Sequence, residues 1–134
     1  EFIHEIEFLP STASEISPQD AAAELAVSQI KRYLNDPSFH FTLPLSSRGT
    51  PYRRRVWAQI SSIPLGETKT YGAIAANLGS AARAVGQACG DNPFPLVIPC
   101  HRVIASSSLG GFAHEITGHL MDTKAWLLRH EGVI

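Results

Sequence analysis

Cysteine is scarce in this chain: only Cys89 and Cys100 occur in 134 residues. Two cysteines without a framework spacing exclude a disulfide-stapled secreted module and point to a reducing, intracellular setting. No apolar run approaches the length of a membrane span. The amino end, Glu1-Phe2-Ile3-His4-Glu5, has neither the basic nor the apolar region of a signal peptide. No internal repeat or low-complexity segment is visible. Charged residues are few, 17% against 44% hydrophobic, so the chain can bury a core and is not disordered. Its length suits one domain, or one with a small appendage. The net charge of −1 does not by itself suggest a nucleic-acid partner.

The placement of that charge says more. Residues 1–47 hold seven acids against Lys31 and Arg32, a balance of −5. Residues 48–102 hold seven bases, among them Arg53, Arg54, Arg55, Lys69 and Arg83, against Glu67 and Asp91, a balance of +5. The remainder is nearly neutral. The middle segment can therefore offer a positive face to a polyanion. The plain alternative is that three adjacent arginines on a helix are simply solvated.

Local patterns divide the chain. Residues 3–8 mix apolar and acidic side chains and read as strand. Ser17, Pro18 and Asp20 read as the cap and first turn of a helix. Its apolar face is Ala22, Ala26, Ile30 and Tyr33, and it stops near Asn35-Asp36-Pro37. Phe39 to Leu45 reads as strand or extended linker, and Ser46-Ser47-Arg48-Gly49 as a boundary. Thr50-Pro51 opens a second helix with Tyr52, Val56 and Ile60 in register. Thr70 caps a short helix, Tyr71 to Leu78, with Gly79 as its left-handed stop. Ser80 caps another, Ala81 to Cys89, halted by Gly90.

Two short helices joined by a glycine turn form a helix-turn-helix pattern. The second is unusual for a major-groove reader. Ala81-Ala82-Arg83-Ala84-Val85-Gly86-Gln87-Ala88 offers small residues around one long cation, with few side chains to read base edges. Such a surface suits close approach to a shallow groove, with Arg83 entering the base stack. The alternative use of these alanines and glycines is tight helix packing.

The most informative stretch is Pro99-Cys100-His101-Arg102-Val103. Apolar residues lead in and out, so it reads as a strand that Pro99, with no N–H, interrupts to turn the thiol out. Neighbouring positive charge lowers a cysteine pKa and supplies thiolate, the nucleophile. A free cysteine is otherwise often a small buried hydrophobe. Cys89 has no such neighbours, and its replacement by serine is expected to be nearly silent in the chemistry.

The ordered set of motifs resembles the 6-O-alkylguanine-DNA alkyltransferases, the methylated-DNA–protein-cysteine methyltransferases. It comprises Gly49-Thr50-Pro51, Arg55-Val56-Trp57, Leu65-Gly66-Glu67, Thr70-Tyr71 and Ala82-Arg83-Ala84-Val85-Gly86. Further on come Asn92-Pro93, Ile98-Pro99-Cys100-His101-Arg102-Val103 and Trp126-Leu127-Leu128-Arg129-His130-Glu131-Gly132. The likeness is close over residues 49–132 and loose before them. It implies an α/β protein: a small strand-and-helix part over residues 1–47, an incomplete ribonuclease H-like domain, and a mostly helical domain over residues 48–134 that binds DNA and accepts the alkyl group.

The resemblance implies roles for named residues. Cys100 attacks the alkyl carbon and keeps the group, so each molecule acts once and no cofactor is needed. His101 deprotonates the thiol through a water, and Glu131 holds His101, a nucleophile, base and orienter arrangement. Tyr71 donates to the departing guanine, and Asn92 shapes the turn and supports the thiolate. Arg83 fills the gap left by the flipped nucleotide, with Thr70, Ala82, Gly86 and Arg102 beside it at the DNA. Val103, Ser106, Ser107, Ser108, Phe112 and Ala113 form the guanine pocket. The partner implied is duplex DNA carrying alkylated guanine, met by a monomer without a membrane.

Two departures from the family pattern stand out. Family members carry tyrosine, serine and a glycine pair after the cysteine, where this chain has Gly110-Gly111-Phe112-Ala113-His114-Glu115 and a longer run to Lys124. The amino-terminal part is short, and with both cysteines elsewhere it has no zinc cluster. Two other readings remain: a non-catalytic sensor of alkylated bases, and a cysteine hydrolase using Cys100 and His101. Adjacent strand residues face opposite ways, which disfavours a direct Cys–His contact and is compatible with a water relay.

Overall fold

The computed structural model describes residues 1–112, 114 and 116–134. Among the described residues five helices dominate: α1 (Ala21–Asn35), α2 (Pro51–Ser61), α3 (Tyr71–Leu78), α4 (Ala82–Gly90) and α5 (His119–His130). Two two-residue strands, β1 (Lys69–Thr70) and β2 (Val103–Ile104), pair in parallel with Lys69 opposite Val103. A 3-10 turn, Cys100–Arg102, leads directly into β2. The pairing has a positional consequence. It ties the start of α3, and hence Tyr71, beside the segment that leaves Cys100.

Local chemistry explains the helix ends. The Thr50 hydroxyl accepts from Arg53 N, and Pro51 takes the first helical position of α2, where a missing N–H costs nothing. The Thr70 hydroxyl accepts from Ala73 N at 3.1 Å to start α3. Gly79 closes α3 at φ 63°, ψ 38°, a left-handed conformation that a side chain would strain. The chain then turns into α4, and α3 and α4 form the helix-turn-helix pair.

Several sequence expectations change. The expected strand over residues 3–8 is reduced to a single bridge, Ile3 with Leu45. Pairing does not spread because Ile6 N donates instead to Pro93 O at 2.8 Å, and Pro44 brings no N–H of its own. The α/β expectation therefore holds only as a helical fold with one minimal sheet. Helix α1 starts after Asp20, whose carboxylate accepts from Ala23 N at 2.8 Å; Ser17 and Pro18 lie outside it. Ser80 does not cap α4. Its hydroxyl pairs with the Tyr52 hydroxyl at 2.8 Å, and α4 begins one residue later and includes Gly90. The segment before Cys100 is a bent loop in which Leu96 takes φ 78°, and Cys100 itself lies in the 3-10 turn rather than a strand.

The main core joins Val56, Trp57 and Ile60 of α2, Ile74 of α3, Val85 and Ala88 of α4, and Leu127 of α5. Tyr33 of α1 belongs to the same cluster, so the first 47 residues share a core with the rest. A smaller cluster packs Ile3, Ala22 and Leu43 on Phe94. Gln29, polar on the buried face of α1, is satisfied by both ends of Thr42: its amide donates to the hydroxyl, and its oxygen accepts from the backbone N–H. Among the described residues no helix is long and apolar enough to cross a membrane.

Candidate active site around Cys100

Cys100 sits at the floor of a cavity of about 220 Å³ whose walls include Tyr71, Gly86, Cys89, Phe112 and His114. Cys100 is 3% exposed. Asn92 places it. The Asn92 amide donates to Cys100 Sγ at 3.1 Å and to Ile98 O at 2.9 Å, while its oxygen accepts from Phe94 N at 2.9 Å. One side chain thus ties the end of α4 to both sides of the loop that carries the cysteine.

The thiol's electrostatics overturn the expectation of a depressed pKa. Hydrogen bonding to Cys89 and burial push Cys100 well up, against weaker opposition from Asn92 and the Lys124 charge. The expected cationic neighbours do not face it. Arg102 turns away, donating to both Glu131 oxygens and to Ile63 O at 2.7 Å. Its guanidinium is occupied inside the protein, where the sequence places it at the DNA. At rest Cys100 is therefore a thiol, and a base must take its proton during reaction. Cys89 lines the same cavity as Cys100.

His101 provides the base geometry. It is fully buried, and Nε2 lies 2.8 Å from Glu131 Oε2. Burial pushes its pKa down, partly offset by Glu131, so the ring is neutral near pH 7. With Glu131 ionised, Nε2 carries the proton and donates. Nδ1 is then a buried lone pair with no partner among the described residues. An unpartnered buried acceptor is costly in a purely structural histidine.

Glu131 is the hub behind His101. It accepts from His101, from Arg102 and from the Tyr33 hydroxyl at 2.5 Å. Burial would raise its pKa, but the hydrogen bonds from His101 and Arg102 hold it at about 2. Burial and Glu131 together push the Tyr33 hydroxyl strongly up, which keeps it a donor.

Sequence reasoning missed Lys124. It is fully buried on α5, and its ammonium donates to Val103 O at 2.7 Å and to Gly111 O at 2.8 Å. Burial lowers its pKa to about 8, against the pull of the two thiols. A signal was present: Lys124 stands at helical spacing with Leu120, Leu127 and Leu128, a cation on an apolar stripe. Tyr71 OH donates to the same Gly111 O at 3.2 Å. Burial and the nearby thiols raise its hydroxyl to about 12, so it stays protonated.

The other expected residues separate. Arg83 is exposed on α4 with no ion-pair partner among the described residues, and Ala82 is exposed beside it. The Thr70 hydroxyl is already used as a helix cap. Val103 is buried outside the cavity wall, and its carbonyl accepts from Lys124. Ser106, Ser107 and Ser108 are exposed and away from the cavity wall. Phe112 lines it, and Ala113 lies outside the described residues. No three histidine, cysteine or acidic side chains converge as metal ligands among the described residues.

Comparison with known proteins meets this geometry. The family model described as the DNA binding domain of 6-O-methylguanine DNA methyltransferase matches residues 51–133. A methylated-DNA–protein-cysteine methyltransferase of Bacillus subtilis, described as constitutive, is 40% identical over 130 residues, covering 95% of this chain and 74% of that protein. The Shigella flexneri protein of the same name is 46% identical over 96 residues, 69% of this chain and 53% of its own length. The chain thus spans about half the length of some of its relatives. The Mycobacterium tuberculosis protein crystallised with DNA superposes with a TM-score of 0.75 at 37% identity, over 96% of this chain and 79% of that one. A Schizosaccharomyces pombe protein, solved with damaged DNA containing O6-carboxymethylguanine, gives 0.53 at 31% identity over 64% of this chain and 80% of that one. With a family model matched over more than half of its length and a relative 40% identical across nearly all of it, this chain belongs to the 6-O-methylguanine DNA methyltransferase family.

Proposed function

We propose that this chain repairs DNA by taking a methyl or other alkyl group from the 6-oxygen of guanine onto its own Cys100, once per molecule. The observation that carries this reading is Cys100 Sγ, held by Asn92 at the floor of a cavity and backed by a neutral His101 paired with ionised Glu131. The thiol proton passes through a water to His101 Nδ1, and Glu131 stabilises the imidazolium. The sulfur lone pair forms the S–C bond. The C–O bond breaks, its electrons return to guanine, and the base takes up a proton. Tyr71, still protonated, donates a hydrogen bond to that leaving base. Lys124 adds a positive charge near the developing thiolate.

The α4 surface supports the binding half of the proposal. Small residues around Arg83 allow close approach to the minor groove of duplex DNA, and Arg83 occupies the space of the flipped nucleotide. The thiol lies too deep for a base still in the stack, so flipping is required. In this reading residues 1–47 are ribonuclease H-like, residues 48–134 carry the chemistry, and a monomer works inside the cell. Arg83→Ala should slow repair in duplex DNA at least about tenfold. Its reaction with free alkylated guanine, which needs no flipping, should change little. Rates measured on both substrates decide this, and equal losses would assign Arg83 to the fold or the pocket.

Mass spectrometry after exposure to a duplex containing O6-methylguanine tests the function itself. The peptide carrying Cys100 should gain one methylene mass. Binding without that gain would make the protein a sensor. Neither binding nor gain would return it to a cysteine hydrolase or an unrelated role.

A further inference from the structure

We propose that His114 sets the size of the alkyl group this protein accepts: its imidazole, tethered to Asp91 and seated on Gly90, narrows the mouth of the Cys100 cavity. The inference rests on the reading of Cys100 as an alkyl acceptor. His114 lines the same cavity as Cys100 and Tyr71. Its side chain is 48% exposed, whereas Cys100 is 3% exposed, so the imidazole stands at the opening and the sulfur at the floor.

Three features hold the ring there. His114 Nε2 lies 2.9 Å from Asp91 Oδ1. Asp91 follows α4 directly, and its other oxygen is bound by Arg53 of α2, so the anchor is fixed to two helices. Gly90 supplies the seat: a Cβ there would come within 2.2 Å of the imidazole, and only glycine lets the ring lie against the end of α4.

A methyl group projects one carbon from the guanine oxygen toward sulfur, and a benzyl group projects a ring. An imidazole across the opening leaves space for the first and meets the second.

The test compares rates of Cys100 alkylation by O6-methylguanine and O6-benzylguanine as free bases, which takes DNA binding out of the comparison. His114→Gly should raise the benzyl-to-methyl rate ratio at least about tenfold, the scale on which a pocket resolves small changes in bulk. Asp91→Asn keeps the ring and weakens its tether, and should shift the ratio less, in the same direction. Circular dichroism and melting of each variant establish that it is folded. A ratio unchanged in both variants overturns the gate. If the unaltered protein takes alkyl groups neither from these bases nor from the O6-methylguanine duplex, the repair reading fails. The gate is then read with methyl and benzyl methanethiosulfonate, which form a mixed disulfide on the thiol and release methanesulfinate. Fragment masses locate the label on Cys100. The same change in ratio sustains the gate, and none refutes it.

Discussion

Cys100→Ser should abolish alkyl transfer while duplex binding stays within about twofold of the unaltered protein, because α4 and Arg83 are untouched. Sulfur is the better nucleophile, and its proton lies within reach of a neutral imidazole; a serine hydroxyl is far less acidic and stays protonated. The site already makes deprotonation hard. Burial and Cys89 push the thiol up, so His101 must assist even with sulfur, and oxygen removes the remaining margin. The measurement pairs the mass of the peptide carrying Cys100 with a binding titration. Transfer at a rate near that of the unaltered protein would end the assignment. Loss of binding alongside loss of transfer would mean that the substitution had disturbed the fold.

Glu131→Gln should produce the largest loss of stability, about 3 kcal/mol, because it leaves the Arg102 guanidinium inside the protein without its counter-charge. Urea unfolding near pH 7 reads that loss, and a midpoint equal to the unaltered protein's would refute the hub role. The pH dependence adds a second readout. Glu131 titrates at about 2 in the folded protein and near about 4.3 when unfolded. A depressed carboxylate contributes stability that is fully present above the unfolded value and is lost as pH falls toward the folded one. Stability of the unaltered protein should therefore decline between about pH 4.3 and 2, and this component should vanish in Glu131→Gln. Transfer should slow in the variant as well, since a glutamine stabilises the His101 imidazolium less than a carboxylate does.

Much of the architecture was legible because it is encoded within a few residues. Thr50-Pro51 and Thr70 cap their helices with their own hydroxyls, and Gly79 turns at the end of α3, all interactions spanning four residues or fewer. The Pro99-Cys100-His101-Arg102 run marked the candidate site for the same reason. Ser17 and Ser80 misled because a hydroxyl that could cap has competitors: Asp20 takes the first role, and Tyr52 draws Ser80 into another bond.

What lay beyond the sequence depends on partners distant along the chain. Glu131 meets His101 across 30 residues and Tyr33 across 98, and no local pattern predicts that convergence. Contact with Cys89 and burial hold the Cys100 thiol protonated, and only the packed structure shows Arg102 turned toward Glu131. Lys124 was visible as a cation on an apolar stripe, yet its two carbonyl acceptors come from Val103 and Gly111. The amino-terminal strand failed because a strand needs a continuous neighbour, and the loop at Pro93 took the N–H that would have extended it. Sequence alone determined the local caps and turns and marked the candidate residues around Cys100. Tertiary structure decided their protonation states, because burial and contact with distant groups set the electrostatics that a linear chain leaves open.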